Sequence, residues 1–176
     1  MSIAGFKSQN HPQQTGKRGA RDHVDDRGTK AELFDPLHRR FGFTLDVAAA
    51  PHNAKVSDYL TRDDDGLSVP WLTPGGDVAR VWCNPPYSDL GAWVRKAWAE
   101  WDDGHCDVIV MLLPANRTEQ GWWQDYVEPV LRERLPIFHV EFLRGRPRFD
   151  QPPGWVTPPK GDRPPFGCCL LIWSTP

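Results

Sequence analysis

Several kinds of site are excluded by what this chain has little of. Its 176 residues contain four cysteines, with no C-x-x-C pair and no histidine at zinc spacing, so no metal site or dithiol redox centre is expected. Three of the four lie in or beside apolar runs, where cysteine usually serves as a small core residue. No apolar stretch is long enough to cross a bilayer, and no signal-peptide pattern is present. A reducing cytoplasm is therefore the expected compartment, with no membrane partner. Internal repeats are also absent.

Tryptophan and proline are abundant instead, with nine and eighteen copies. The net charge of −2 hides an uneven distribution. Residues 1–30 carry six Lys/Arg against three acids, and residues 132–163 carry seven against four. Residues 46–107 hold eleven acids against five bases. An acidic middle between basic ends suits a small cationic ligand held centrally and a polyanion at the rim, though ordinary solvated surface has the same look. The length allows one domain with a single core.

The stretch with the sharpest chemistry is Val81-Trp82-Cys83-Asn84-Pro85-Pro86-Tyr87. Its β-branched and aromatic lead-in reads as a short buried strand. Pro85 and Pro86 fix φ and lack a ladder donor, so the strand stops at Asn84 and holds its amide on a stiff turn. An amide oxygen and a following prolyl carbonyl are two acceptors suited to the two hydrogens of an exocyclic amine. Tyr87 adds a flat face on which a heteroaromatic ring can stack. The plainer reading is a strand ending in a Pro-Pro turn.

Residues 1–28, polar and without periodicity, read as a mobile basic arm, and 29–176 as the domain. Thr29 and Glu32 have capping-box spacing, and Leu33, Leu37 and Phe41 predict a helix over about 30–41 closed by Gly42. Phe43–Val47 reads as the first central strand, with Asp46 at its carboxyl end before the small residues Ala48-Ala49-Ala50. There a carboxylate either meets a ligand ammonium or ribose hydroxyl, or caps the following turn. In the acidic loop 63–65, Asp65 beside Gly66 is the candidate ligand contact. Ser88 or Asp89 caps a helix carrying Trp93, Ala97, Trp98 and Trp101 on one face. Asp107–Pro114 is a continuous apolar strand typical of a doubly covered sheet. Two strands ending in prolines share a rim, where Arg117 and Trp123 stand as candidate nucleic-acid contacts. Residues 137–149 suggest strands around a turn at Gly145, whose Arg144, Arg146 and Arg148 form a cationic fork suited to phosphate and base edges. Gly167–Trp173 is a final buried strand.

In this order the motifs resemble the small phage-type DNA N6-adenine methyltransferases, over about residues 29–173. The resemblance rests on Leu33-Phe34-Asp35, Phe41–Asp46, Asp64–Leu67, Trp82–Ser88, Leu112–Ala115 and Phe142–Arg146. It implies an α/β, single-domain, Rossmann-like sheet, mostly parallel with an antiparallel carboxyl-terminal hairpin. It also implies S-adenosylmethionine as cofactor, held by Thr29, Phe34, Asp46, Ala48, Asp65 and Gly66. Catalysis falls to Asn84, Pro85, Pro86 and Tyr87. The implied partner is double-stranded DNA, with adenine flipped into the Asn-Pro-Pro-Tyr pocket and roles in DNA methylation such as restriction-modification. Ala48-Ala49-Ala50-Pro51 stands where larger methyltransferases have a Gly-rich turn, and Lys30 follows Thr29 where proline is common. Methylation of a protein glutamine or of cytosine N4, and a silent DNA-binding relative, are the alternatives.

Overall fold

The computed structural model describes residues 28–151, 153–154 and 164–175. The proposed arm 1–28 therefore lies outside the described residues, except for Gly28. In chain order the elements are β1 (Gly28–Thr29), α1 (Ala31–Phe41), β2 (Leu45–Asp46), β3 (Ala79–Cys83), α2 (Leu90–Asp102) and β4 (Cys106–Pro114). They continue with α3 (Gly121–Tyr126), α4 (Glu128–Glu133), β5 (Phe138–Phe142), β6 (Phe149–Asp150) and β7 (Cys168–Ser174).

The helix after Thr29 forms as its apolar spacing requires, burying Phe34, Leu37 and Phe41. Gly42 closes it at φ 63°, its N–H donating to the His38 carbonyl at 2.7 Å. Thr29 is not its cap. Lys30 takes that position without a side-chain hydrogen bond, because Thr29 is drawn into β1, opposite Phe149. Asp89 caps α2 as expected, with Oδ1 accepting from the Ala92 N–H at 3.4 Å. Trp93 and Ala97 on that helix are buried, and Trp98 and Trp101 pack against the same core.

Five strands form one sheet in the order β2-β3-β4-β7-β5. The β2/β3 and β3/β4 ladders are parallel, whereas β4/β7 and β7/β5 are antiparallel. The sheet is thus mixed rather than mostly parallel. No hairpin forms around Gly145 either. β7 inserts between β4 and β5, while β6 leaves the sheet to pair with β1. Since β5 and β4 both oppose β7, β5 runs in the same direction as β3 and β4. β2 is at an edge of this sheet rather than in its centre. Its formal length is two residues, although the Thr44 and Val47 N–H groups also bond to the Arg80 and Trp82 carbonyls of β3.

Period-two alternation puts the two faces of β4 into different cores. Ile109, Met111 and Leu113 join Val81, Leu171 and Trp173 beneath Trp93, Val94 and Trp123 of α2 and α3. Val108, Val110 and Leu112 join Trp82, Leu170 and Ile172 beneath Phe34, Leu37 and Phe41 of α1. A sheet covered on both faces leaves its carboxyl edge as the natural ligand side. All four cysteines are buried free thiols. Among the described residues, no helix is long and apolar enough to cross a membrane.

Candidate active site

At the carboxyl ends of β2 and β3, an open-mouthed cleft is lined by Gly28, Thr29, Asp46, Ala48, Asn53, Lys55, Trp82 and Asn84. β3 ends at Cys83, and the two prolines behind Asn84 carry the chain away from the sheet. Pro85 is buried, while Asn84 and Tyr87 are half-buried. The Tyr87 hydroxyl lies 3.5 Å from Asn84 Oδ1, at the outer limit of a hydrogen bond. Its ring is set edge-on to Phe149 and tilted against Phe166, and its side chain hydrogen-bonds the buried Cys168 thiol.

Asp46 is 2 % exposed. Oδ1 accepts from the Ala48 N–H at 3.3 Å and Oδ2 from the Lys55 N–H at 3.1 Å, so the carboxylate shapes the loop that follows it. Burial pushes its pKa up to about 6, outweighing the Lys55 and Ala48 N–H donors and the Lys55 charge. A carboxylate has about four acceptor positions, so a ligand cation can still be received. The buried Thr29 Oγ1, which lines the same cleft, has no hydrogen-bond partner among the described residues. The cleft thus holds a buried carboxylate with acceptor capacity to spare and a hydroxyl still open to a polar partner.

The family model for DNA N-6-adenine-methyltransferase (Dam) matches residues 17–149, well over half of the chain. The chain belongs to the Dam family. It is 33% identical over 98 residues to a DNA N-6-adenine-methyltransferase of Escherichia phage T1, covering 55% of this chain and 38% of that protein. It is 28% identical over 105 residues to a DNA N-6-adenine-methyltransferase of Haemophilus phage HP1, covering 56% and 57%. The chain thus spans less than two thirds of either relative. A solved Pyrococcus horikoshii structure described as a candidate RNA methyltransferase aligns with TM-score 0.37 and 15% identity, over 84% of this chain and 58% of that one. The topology therefore rests on the strand pairing above.

In this Dam-family chain the structure gathers Thr29, Asp46, Ala48 and Asn84 around one cleft. The other candidate residues lie outside this cleft. Phe34 is buried in the core, edge-on to Trp82 at 5.4 Å, and of the two only Trp82 lines the cleft. Asp65 is exposed at φ 52°, with its carboxylate accepting from the Ser68 hydroxyl. Gly66 is buried, and a Cβ there would stand 2.5 Å from the Val47 carbonyl oxygen. Its absent side chain serves packing against β2, and neither residue lines the cleft. Trp123 is 3 % exposed in the core below α2, so its ring is not presented to a nucleic acid. Arg117 is half-buried at the rim beyond Pro114. Arg144, Arg146 and Arg148 are all exposed, and Gly145 has φ 79° as a tight turn requires.

Sequence reasoning did not single out Gly28, Asn53, Lys55 or Trp82 as cleft residues. Gly28 lies close to Asn53, where a Cβ would come to 3.2 Å. Asn53 in turn accepts from the Ala50 N–H at 2.7 Å. Lys55 is nine residues beyond Asp46, and only the folded loop brings the two charges together.

Proposed function

We propose that this chain transfers a methyl group from S-adenosylmethionine to N6 of adenine in double-stranded DNA. The carrying observation is that Asn84, on its proline-locked strand end, lines the same cleft as Asp46 and the orphaned Thr29 hydroxyl. Family membership and the names of the two phage relatives support adenine as the target.

When bound, the cofactor supplies an electrophilic methyl group on a sulfonium that departs as a neutral thioether. Asp46 and Lys55 are complementary to the ammonium and carboxylate of its amino-acid end, and Thr29 Oγ1 gains a partner. The cleft is shallow and open to solvent, so it receives one end of the cofactor and the rest extends beyond it. The flipped adenine enters at Asn84. Asn84 Oδ1 and a prolyl carbonyl accept the two N6 hydrogens and direct the lone pair. As N6 gains its new bond, these acceptors stabilise the positive charge, and one N6 hydrogen leaves as a proton to water. Tyr87, wedged by Phe149 and Phe166, is the stacking platform for the base.

Treating plasmid DNA with the protein and cofactor, then sequencing for modified bases, tests the assignment. N6-methyladenine at one short recurring site is expected. Methylation of cytosine, or of protein alone, overturns it. Asn84→Ala is expected to lower turnover by about 10²–10³-fold with cofactor affinity unchanged, as for loss of one preorganised polar partner. Turnover within a few-fold of wild type would remove Asn84 from catalysis.

A further inference from the structure

Phe142 is 66 % exposed, more than any other large hydrophobic side chain among the described residues. It is the last residue of β5, an edge strand of the sheet. Proteins usually blunt such edges with charge rather than leave an aromatic there. Because β5 runs in the same direction as β3, Phe142 emerges on the same carboxyl edge as Asn84. Three strand spacings of about 4.8 Å separate β5 from β3, roughly 14 Å in all, comparable with the ~12 Å width of a DNA major groove.

The connection to the site is direct. Phe142 is in register with Cys169, and the next N–H, that of Leu143, donates to the Cys168 carbonyl at 3.0 Å. The Cys168 thiol in turn bonds the Tyr87 side chain. On the other side of Phe142, Glu141 is held by Arg40 of α1 at 2.7 Å and lies 3.3 Å from His139. The aromatic ring is thus carried on an anchored strand end. The exposed Arg144, Arg146 and Arg148 follow it immediately.

We propose that Phe142 is a wedge that enters the duplex beside the target base pair and fills the space the flipped adenine leaves. Apolar side chains inserted between base steps unstack them and offset part of the energy of deformation. Here the arginine turn supplies the adjoining grip on phosphates. A second copy of the chain is a poorer occupant of this surface, since it would bring two arginine turns together. The inference rests on the DNA-methylation reading above.

The test uses the duplex site found by sequencing, first with a normal thymine opposite the target adenine and then with an abasic position there. Phe142→Ala is expected to lower turnover on the normal duplex by about 10–100-fold, the range of a lost stacking contact. It is also expected to abolish the fluorescence rise of 2-aminopurine placed at the target. On the abasic duplex, where no pair has to be opened, its turnover is expected to return to within a few-fold of wild type. Phe142→Trp is expected to retain activity on both. Equal losses on the two duplexes, or no loss on either, overturn the wedge while leaving the methylation reading intact. A wild-type protein that methylates no adenine overturns both. Conversion of a dimer to a monomer by Phe142→Ala, seen by sedimentation, would assign the ring to a subunit interface instead.

Discussion

Asp46 combines two uses that its sequence position left as alternatives. Its oxygens accept the Ala48 and Lys55 N–H groups and so bend the loop, yet it also lines the cleft beside Asn84. Burial holds its pKa near 6, above the ordinary 3.8. Folding therefore favours the protonated form. The stability this group contributes is complete below about pH 4 and is lost as pH rises through about 6, a difference of order 3 kcal/mol. A cationic ligand reverses that preference by favouring the ionised form. Affinity for S-adenosylmethionine, followed by calorimetry across pH 5 to 8, is expected to rise through about pH 6 and then level off. Asp46→Asn is expected to bind more weakly and to flatten the profile. An unchanged profile would leave Asp46 with its loop-shaping role alone. Asn84 and Asp46 were legible in the sequence because a proline pair and a strand end constrain them locally. Lys55 was not, since its place depends on a folded loop, and Thr29 was a candidate only through the family resemblance, since its pairing with Phe149 leaves no local signal.

Among the elements, β4 and α2 follow from periodicity, because continuous burial and a one-sided stripe each leave a clear pattern. β1 and β6 leave none. Each is two residues long, and nothing local indicates that they pair with each other. The turn at Gly145 looked like a hairpin because its flanks alternate, but Phe149 packs against Tyr87 and pairs with Thr29 instead. The loop carrying Gly66 is likewise fixed by distant partners. The Gly66 carbonyl accepts the Trp71 indole N–H at 2.7 Å, and the Trp71 backbone N–H donates to the buried Glu100 of α2 at 2.7 Å. Glu100 also meets Lys96 and His105. Gly66→Ala would force a Cβ against the Val47 carbonyl and Trp93, so it is expected to destabilise the fold by about 1–3 kcal/mol, as overpacking does. Urea unfolding measures this. An unchanged midpoint would show that the loop moves away from β2 freely.

For the molecule as a whole, the cleft at Asp46 and Asn84 and the arginine turn share one edge of a mixed sheet. The charge pattern of the sequence suggested such a division, with acids central and bases toward the ends. It could not show that β7 would separate β4 from β5, because that order is set by packing across the whole sheet. Arg144, Arg146 and Arg148 are expected to hold DNA at this edge. Each phosphate contact contributes about −0.9 to the slope of log affinity against log salt. At least one of the three, changed to Ala, is expected to flatten that slope by about one unit. Another, Arg146 at the tip, is expected to relax site preference with a smaller change in slope. Three wild-type slopes with unchanged preference would remove the turn from the DNA interface. The placement of β7 also governs when the fold can be completed. Within the sheet β5 pairs only with β7, and β7 shares seven register positions with β4. A nascent chain that has left the ribosome only as far as residue 150 has an open β4 edge and an unpaired β5. Its Tyr87 also lacks the Cys168 and Phe166 that hold it. The sheet therefore cannot close, and Tyr87 cannot gain its last partners, until the interior strand has left the ribosome.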